Sequence, residues 1–153
     1  MHRTATTLLT LLALACSSGN PTWQDQETVN HPRKHVMVQF TDDHLHPSTA
    51  QLLEGGTVSW VNYASLYSGS IVFSDAVAAA FTCKELRPNW MKTGTGYQSI
   101  PISMGGASDD LQIPCPLKPG EYDYEVWLFS DPPDGFGGME NPQSQLSGKI
   151  IVQ

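Results

Sequence analysis

A chain of 153 residues with 40% hydrophobic content has room for one domain of ordinary size and enough apolar side chains to build a core. Eight basic side chains stand against 15 acidic ones, a formal net charge of −7. A surface this acidic is repelled by nucleic acid and by anionic lipid headgroups, and no basic patch opposes that repulsion.

The first fifteen residues read as a leader and not as part of the domain. His2 and Arg3 give a weakly basic start, and Leu8 to Leu14 supply an apolar run too short to span a bilayer. Ala13-Leu14-Ala15-Cys16 resembles a bacterial lipoprotein processing site, with Ala13 where such signals usually carry Leu. The resemblance implies that residues 1–15 are removed and that Cys16 carries the lipid, with palmitate among its acyl chains. It also implies that the mature chain is held at the extracytoplasmic face of a bacterial membrane. Ser17 fits sorting to the periplasmic face of the outer membrane in a Gram-negative cell. Ordinary secretory cleavage after Ala15 is the alternative. Loss of Arg3 from the 8 basic side chains leaves 7 against 15 acids, a net charge of −8.

Three cysteines are an awkward number for an oxidising compartment. With Cys16 lipidated, Cys83 and Cys115 remain as a pair, and a disulfide between them is expected outside the cytoplasm. It would close a loop of roughly 30 residues, worth about 3–4 kcal/mol in the chain-entropy model. Two unrelated buried thiols are the alternative; a cysteine metal site is disfavoured because neither has a close Cys or His companion.

Residues 16–34 are polar and without hydrophobic period, which predicts a tether, with Trp23 packing against the domain. From His35 the pattern turns to β. Val36, Val38 and Phe40 alternate with His35, Met37 and Gln39. Gly55-Gly56 supplies a turn before the alternating segment Thr57 to Asn62, and Ser70 to Phe73 is a further short strand. Ser74 then caps a predicted helix running from Asp75 through Ala80 towards Cys83. Tyr97 to Ile102 and Leu111 to Ile113 read as strands, the first placed at an edge by Pro101. Pro119-Gly120 launches Tyr122 to Phe129, with Tyr122, Tyr124, Val126 and Leu128 on one face, and Lys149 to Val152 closes the domain, residues 35–153. Short strands, frequent Gly/Pro turns and one small helix define an all-β sandwich, and pattern alone also allows an immunoglobulin-like one.

Leu45, Pro47, Leu52, Gly55 or Gly56, Val58, Trp60 and Asn62 resemble the opening frame of a cupredoxin, the β-sandwich of the blue copper proteins. Pro119-Gly120-Glu121-Tyr122-Asp123-Tyr124 and Gly148-Lys149-Ile150-Ile151-Val152 resemble that family's closing strands, with an atypical insertion around residues 74–118. The resemblance implies a cupredoxin-like Greek-key β-sandwich. A type 1 copper site needs two His, a Cys thiolate and usually an axial Met. At the matching positions stand Ser68, followed by Gly69 and Ser70, then Val126 and Leu146; no His follows His46 at all. The resemblance therefore implies the scaffold without type 1 copper, and no cofactor is expected.

The remaining donors are scattered. His44 and His46 put two imidazoles on one side of an extended segment beside Asp42 and Asp43, a non-standard site for Cu(II) or Zn(II) and the basis of a copper-handling alternative. A copper electron carrier ranks below that. Met37, Met91 and Met104 are too dispersed for a Cu(I) cluster and are expected to fill gaps in the core. Asp42-Asp43 and Asp109-Asp110 read as solvated loop pairs. Calcium at Asp131, Asp134 and Glu140 lacks any fixed ligand spacing. All four His of the mature chain lie near its first strand, and no Ser sits in a Gly-x-Ser-x-Gly elbow, so no catalytic set is singled out and an enzyme is not expected. Trp127, Phe136 and Met139 are candidate contacts of an interaction surface for a protein or small-ligand partner. Packing of Trp127 beneath the insertion and a tolerated surface loop are the competing explanations.

Overall fold

The computed structural model describes residues 31–105, 111–130 and 141–153. Nine strands form within them: β1 (Arg33–Phe40), β2 (Leu45–His46), β3 (Thr49–Asn62), β4 (Ser68–Ser74), β5 (Trp90–Lys92), β6 (Gly96–Ser99), β7 (Leu111–Gln112), β8 (Gly120–Phe129) and β9 (Ser144–Val152). Their hydrogen-bonded order is β2-β1-β3-β9-β8-β4-β6-β5, with β7 added to β3. β1 and β9 both pair with β3 in parallel, and every other pairing is antiparallel. This mostly-strand, mixed sheet with one short helix agrees with the cupredoxin-like β-sandwich expected.

The fold closes because β3 serves two layers. Its first part, Thr49–Leu52, runs beside β9, and its second, Thr57–Asn62, runs beside β1 and β7. Between them the register with β1 jumps from Arg33↔Leu52 to His35↔Thr57, so four residues of β3 oppose one of β1. Gly55 there has φ 70°, and a Cβ on Gly56 would lie 2.7 Å from the Leu53 carbonyl oxygen. The diglycine expected as a turn is thus a bulge that bends one continuous strand from one layer into the other.

The core lies between these layers. Val38, Phe40, Val58 and Trp60 face Ile71, Phe73, Tyr124, Val126, Leu128 and Ile150, all buried in one cluster. The alternation along β1 and β8 matches the sequence pattern, since period-2 side chains on a sheet with one buried face must sort this way. Tyr122 donates from Oη to the Lys118 carbonyl at 2.9 Å and closes the Pro119-Gly120 turn.

Several boundaries differ from expectation. β1 begins at Arg33, two residues before His35. The helix after Ser74 is 3₁₀, six residues from Asp75 to Ala80, and Ser74 makes no side-chain cap bond. Six residues are too few to offset helix nucleation, and Phe81 is drawn into an extended bridge with Leu117. β6 stops at Ser99 and lies between β4 and β5, so Pro101 falls beyond the strand and marks no edge. Met37 and Met104 are 45% and 49% exposed, so they do not fill core gaps. Cys83 and Cys115 form the expected disulfide. Among the described residues no helix is long and apolar enough to cross a membrane.

Candidate functional site

One end of the sandwich gathers the last residues of β1, β3 and β8 and the first of β4 and β9, as the pairs Phe40↔Asn62, Ser68↔Phe129 and Leu128↔Ser144 show. Asn62, fully buried, organises the loops there. Its Nδ2 donates to the carbonyls of Tyr67 and Ile102, both at 2.9 Å, and its Oδ1 accepts from the Ala64 amide at 2.7 Å. Every polar atom of this side chain is committed, which is why a buried amide is tolerated. The loop so held presents Tyr63 and Leu66 to solvent, with Leu66 62% exposed, and Met104 is a third exposed apolar side chain.

Asp42 braces the same loop from the far side of the bend. Its carboxylate accepts from Ser65 Oγ at 2.7 Å and from the amides of Ser65 and Leu66 at 3.2 and 3.0 Å. The Ser65 hydroxyl above all, helped by these amides and opposed by slight burial, holds the carboxyl below the ordinary aspartate value of 3.8. Asp42 is therefore a structural acceptor and not only a solvated loop residue. A depressed folded pKa means that its contribution is present above 3.8 and is lost as the pH falls through the lower folded value. The expected result is that the Ser65 and Leu66 amide resonances hold steady from neutral pH down to that region and shift only below it. Asp42→Asn should abolish this titration, and an unchanged curve in that variant would refute the assignment.

The residues that the sequence resemblance sets at type 1 copper positions converge only in part. Val126 and Leu146 are direct partners across β8 and β9, and Val126 is fully buried. Ser68 is buried opposite Phe129, but the residue aimed at Val126 is Gly69. A Cβ on Gly69 would lie 3.3 Å from Val126 Cγ1 and only 2.4 Å from Phe40 Cε2. The ring of Phe40, itself fully buried, lies against Gly69, which Val126 also borders. Phe40 was legible as a core residue from the alternation of β1, but its role at this end was not, because only the layer-to-layer contact shows it.

His44 lies in the turn after β1, where Thr41 N donates to the His44 carbonyl at 3.0 Å. Its Nδ1 is 2.6 Å from Asp43 Oδ1 and 2.8 Å from Thr41 Oγ1. The Asp43 carboxyl is held below its usual range by these contacts, that with His44 first and that with Thr41 second. His46 is exposed on β2, opposite Gln39, and His35 Nε2 is 3.2 Å from Ser59 Oγ. Among the described residues no group of three or more His, Cys, Asp or Glu side chains is placed to hold a metal ion.

Trp127 lies half-buried on the outer face of β8, where its Nε1 donates to Glu125 Oε2 at 2.6 Å. It borders a shallow groove with Asp123, Ser147 and Lys149, and Lys149 lies 3.0 Å from Glu121. Phe136, Met139, Asp131, Asp134, Glu140, Asp109, Asp110, Trp23 and Cys16 lie outside the described residues.

A deeper feature of the core is polar. Trp60 Nε1 and Tyr124 Oη are buried beside one another with no hydrogen bond to a third group among the described residues, their rings packed edge-on at 5.2 Å between centroids. Burial pushes the Tyr124 phenol up to about 12, so it stays neutral at any physiological pH.

No family model matches the chain, and no curated protein matches it. Among solved structures, dithionite-reduced auracyanin from the photosynthetic bacterium Roseiflexus castenholzii matches with a TM-score of 0.47 and 16% identity. That match covers 80% of this chain and 99% of the auracyanin chain.

Proposed function

We propose that this chain is a lipid-anchored extracytoplasmic binding module, a cupredoxin-like sandwich whose type 1 copper positions have been given over to packing. The observation that carries this reading is that Phe40 and Val126 both border Gly69, where an added Cβ would meet the Phe40 ring first and Val126 Cγ1 at 3.3 Å. Beside Val126, which the resemblance sets in place of the thiolate, this reading has a phenyl ring and a glycine, neither of which donates to a metal. The lipoprotein-like leader with Cys16 supports the anchor, and the Cys83–Cys115 disulfide supports an oxidising compartment. The braced, apolar loop around Leu66 is the surface such a module would present, with Trp127 on an adjoining face.

The test is a titration of the full chain with Cu(I), Cu(II) and Zn(II), read by calorimetry and visible absorption. The expected result is no blue band and no tight stoichiometric uptake. Tight binding abolished by His44→Ala and His46→Ala would replace this reading with the copper-handling one. A blue band lost in neither variant would overturn it outright.

A further inference from the structure

We infer that the Cys83–Cys115 disulfide is an exchange-competent redox centre, open at Cys83 to the thiolate of a dithiol partner protein. The two sulfurs live in opposite surroundings. Cys115 is fully buried, whereas Cys83 is exposed. Beside Cys83 lies a cleft of about 330 Å³ with an apolar floor of Phe81, Leu86 and Tyr97, and with Lys84 and Lys92 on its wall against a single acid, Glu85. The floor is rigid, since Phe81 and Tyr97 pack edge-on at 5.0 Å. Lys92 is positioned by Asp75 at 3.6 Å and by the Tyr97 ring, 5.9 Å from its centroid. An approaching thiolate therefore meets an apolar seat and two lysines, partly offset by Glu85 and Asp75, beside the exposed half-cystine.

The chemistry has a direction. The partner thiolate forms a bond to Cys83 Sγ, the Cys83–Cys115 bond breaks, and its electron pair leaves on Cys115 Sγ. The backbone N–H of Cys83 already donates to that sulfur at 2.8 Å, so the leaving thiolate is born with a donor in place. A second thiolate of the partner then attacks its own sulfur in the mixed disulfide and releases Cys83. The partner is oxidised by two electrons to a disulfide, Cys83 and Cys115 are reduced, and the two protons of the partner's thiols pass to them.

The fold survives this cycle because other bonds hold the two sulfur-bearing segments together. Thr82 N donates to Pro116 O at 3.0 Å, Lys118 N to Ala80 O at 2.9 Å and Arg87 N to Pro114 O at 2.9 Å. Reduction therefore leaves the thiols side by side, ready to close again.

The experiment uses the full chain carrying Cys16→Ser, so that one cysteine pair remains, under native conditions. Reduced glutathione and 2-mercaptoethanol are the probes, with acid quenching and mass mapping of the adduct. Exchange should rise linearly with thiol concentration, and adducts on Cys83 should exceed those on Cys115 by about tenfold or more. Lys84→Gln with Lys92→Gln should slow glutathione by about threefold, and 2-mercaptoethanol by less, because the glutathione thiolate carries more negative charge. A rate that plateaus with thiol, showing that the bond opens only when the chain unfolds, would overturn the proposal, as would equal attack on both sulfurs.

Discussion

Replacing Trp60 with alanine is expected to cost about 3–5 kcal/mol of folding stability, the range for truncating a buried aromatic. Trp60 is fully exposed to its neighbours and not at all to water. It packs on Tyr124 at 5.2 Å, Phe73 at 6.1 Å and Trp90 at 6.3 Å between ring centroids, so one truncation unseats side chains from β3, β4, β5 and β8 together. Against a typical net stability of about 5–15 kcal/mol, that loss is a large share of the whole. Urea unfolding followed by far-ultraviolet circular dichroism should show a lower midpoint with an unchanged slope. A cost under about 1 kcal/mol would mean that the aromatic cluster is not the centre of the core. Tyr124→Phe makes the comparison sharp. It removes a buried hydroxyl whose neighbouring polar group is the Trp60 indole N–H in poor geometry, so it should stay within about 1 kcal/mol of neutral.

Gly69→Ala is expected to cost about 3 kcal/mol, at the upper end of overpacking penalties, although it adds a single methyl group. The new carbon would stand 2.4 and 2.5 Å from two ring atoms of Phe40. Phe40 is fully buried and cannot swing aside, and the backbone of Gly69 is pinned by reciprocal hydrogen bonds with Ile102 at 2.7 and 3.0 Å. Phe40→Ala alone should cost about 3–5 kcal/mol through the cavity it leaves. The double variant should cost less than the sum of the two, because the methyl then occupies part of that cavity. Additive costs would show that Phe40 and Gly69 do not share this space, and would remove the observation on which the proposed function rests.

Much of the sandwich was legible because burial imposes a period on the strands. Val38 and Phe40 in β1, Val58 and Trp60 in β3, and Tyr124, Val126 and Leu128 in β8 all face inward where alternation put them. The disulfide followed from parity of cysteines and not from geometry. What misled was local. Gly55-Gly56 signals only that a residue takes φ > 0, which a bulge requires as much as a turn does. The run Asp75–Ala80 carries α propensity, but its end is set by Phe81 pairing with Leu117, a partner distant in sequence. Pro101 cannot report an edge when the strand stops before it.

The sequence by itself determined the class of fold and the inward residues of each long strand. Those are properties of residue type and spacing along one chain. Only the tertiary structure decided that Gly69, and not Ser68, faces Val126, and that the Phe40 ring lies against Gly69. It alone also showed that Asp42 braces the Leu66 loop and that one sulfur of the disulfide is open while the other is sealed. The physical reason is common to all four. Each depends on which layer or loop lies opposite a side chain, and that is set by the bend of β3 and the register of strands far apart in the chain.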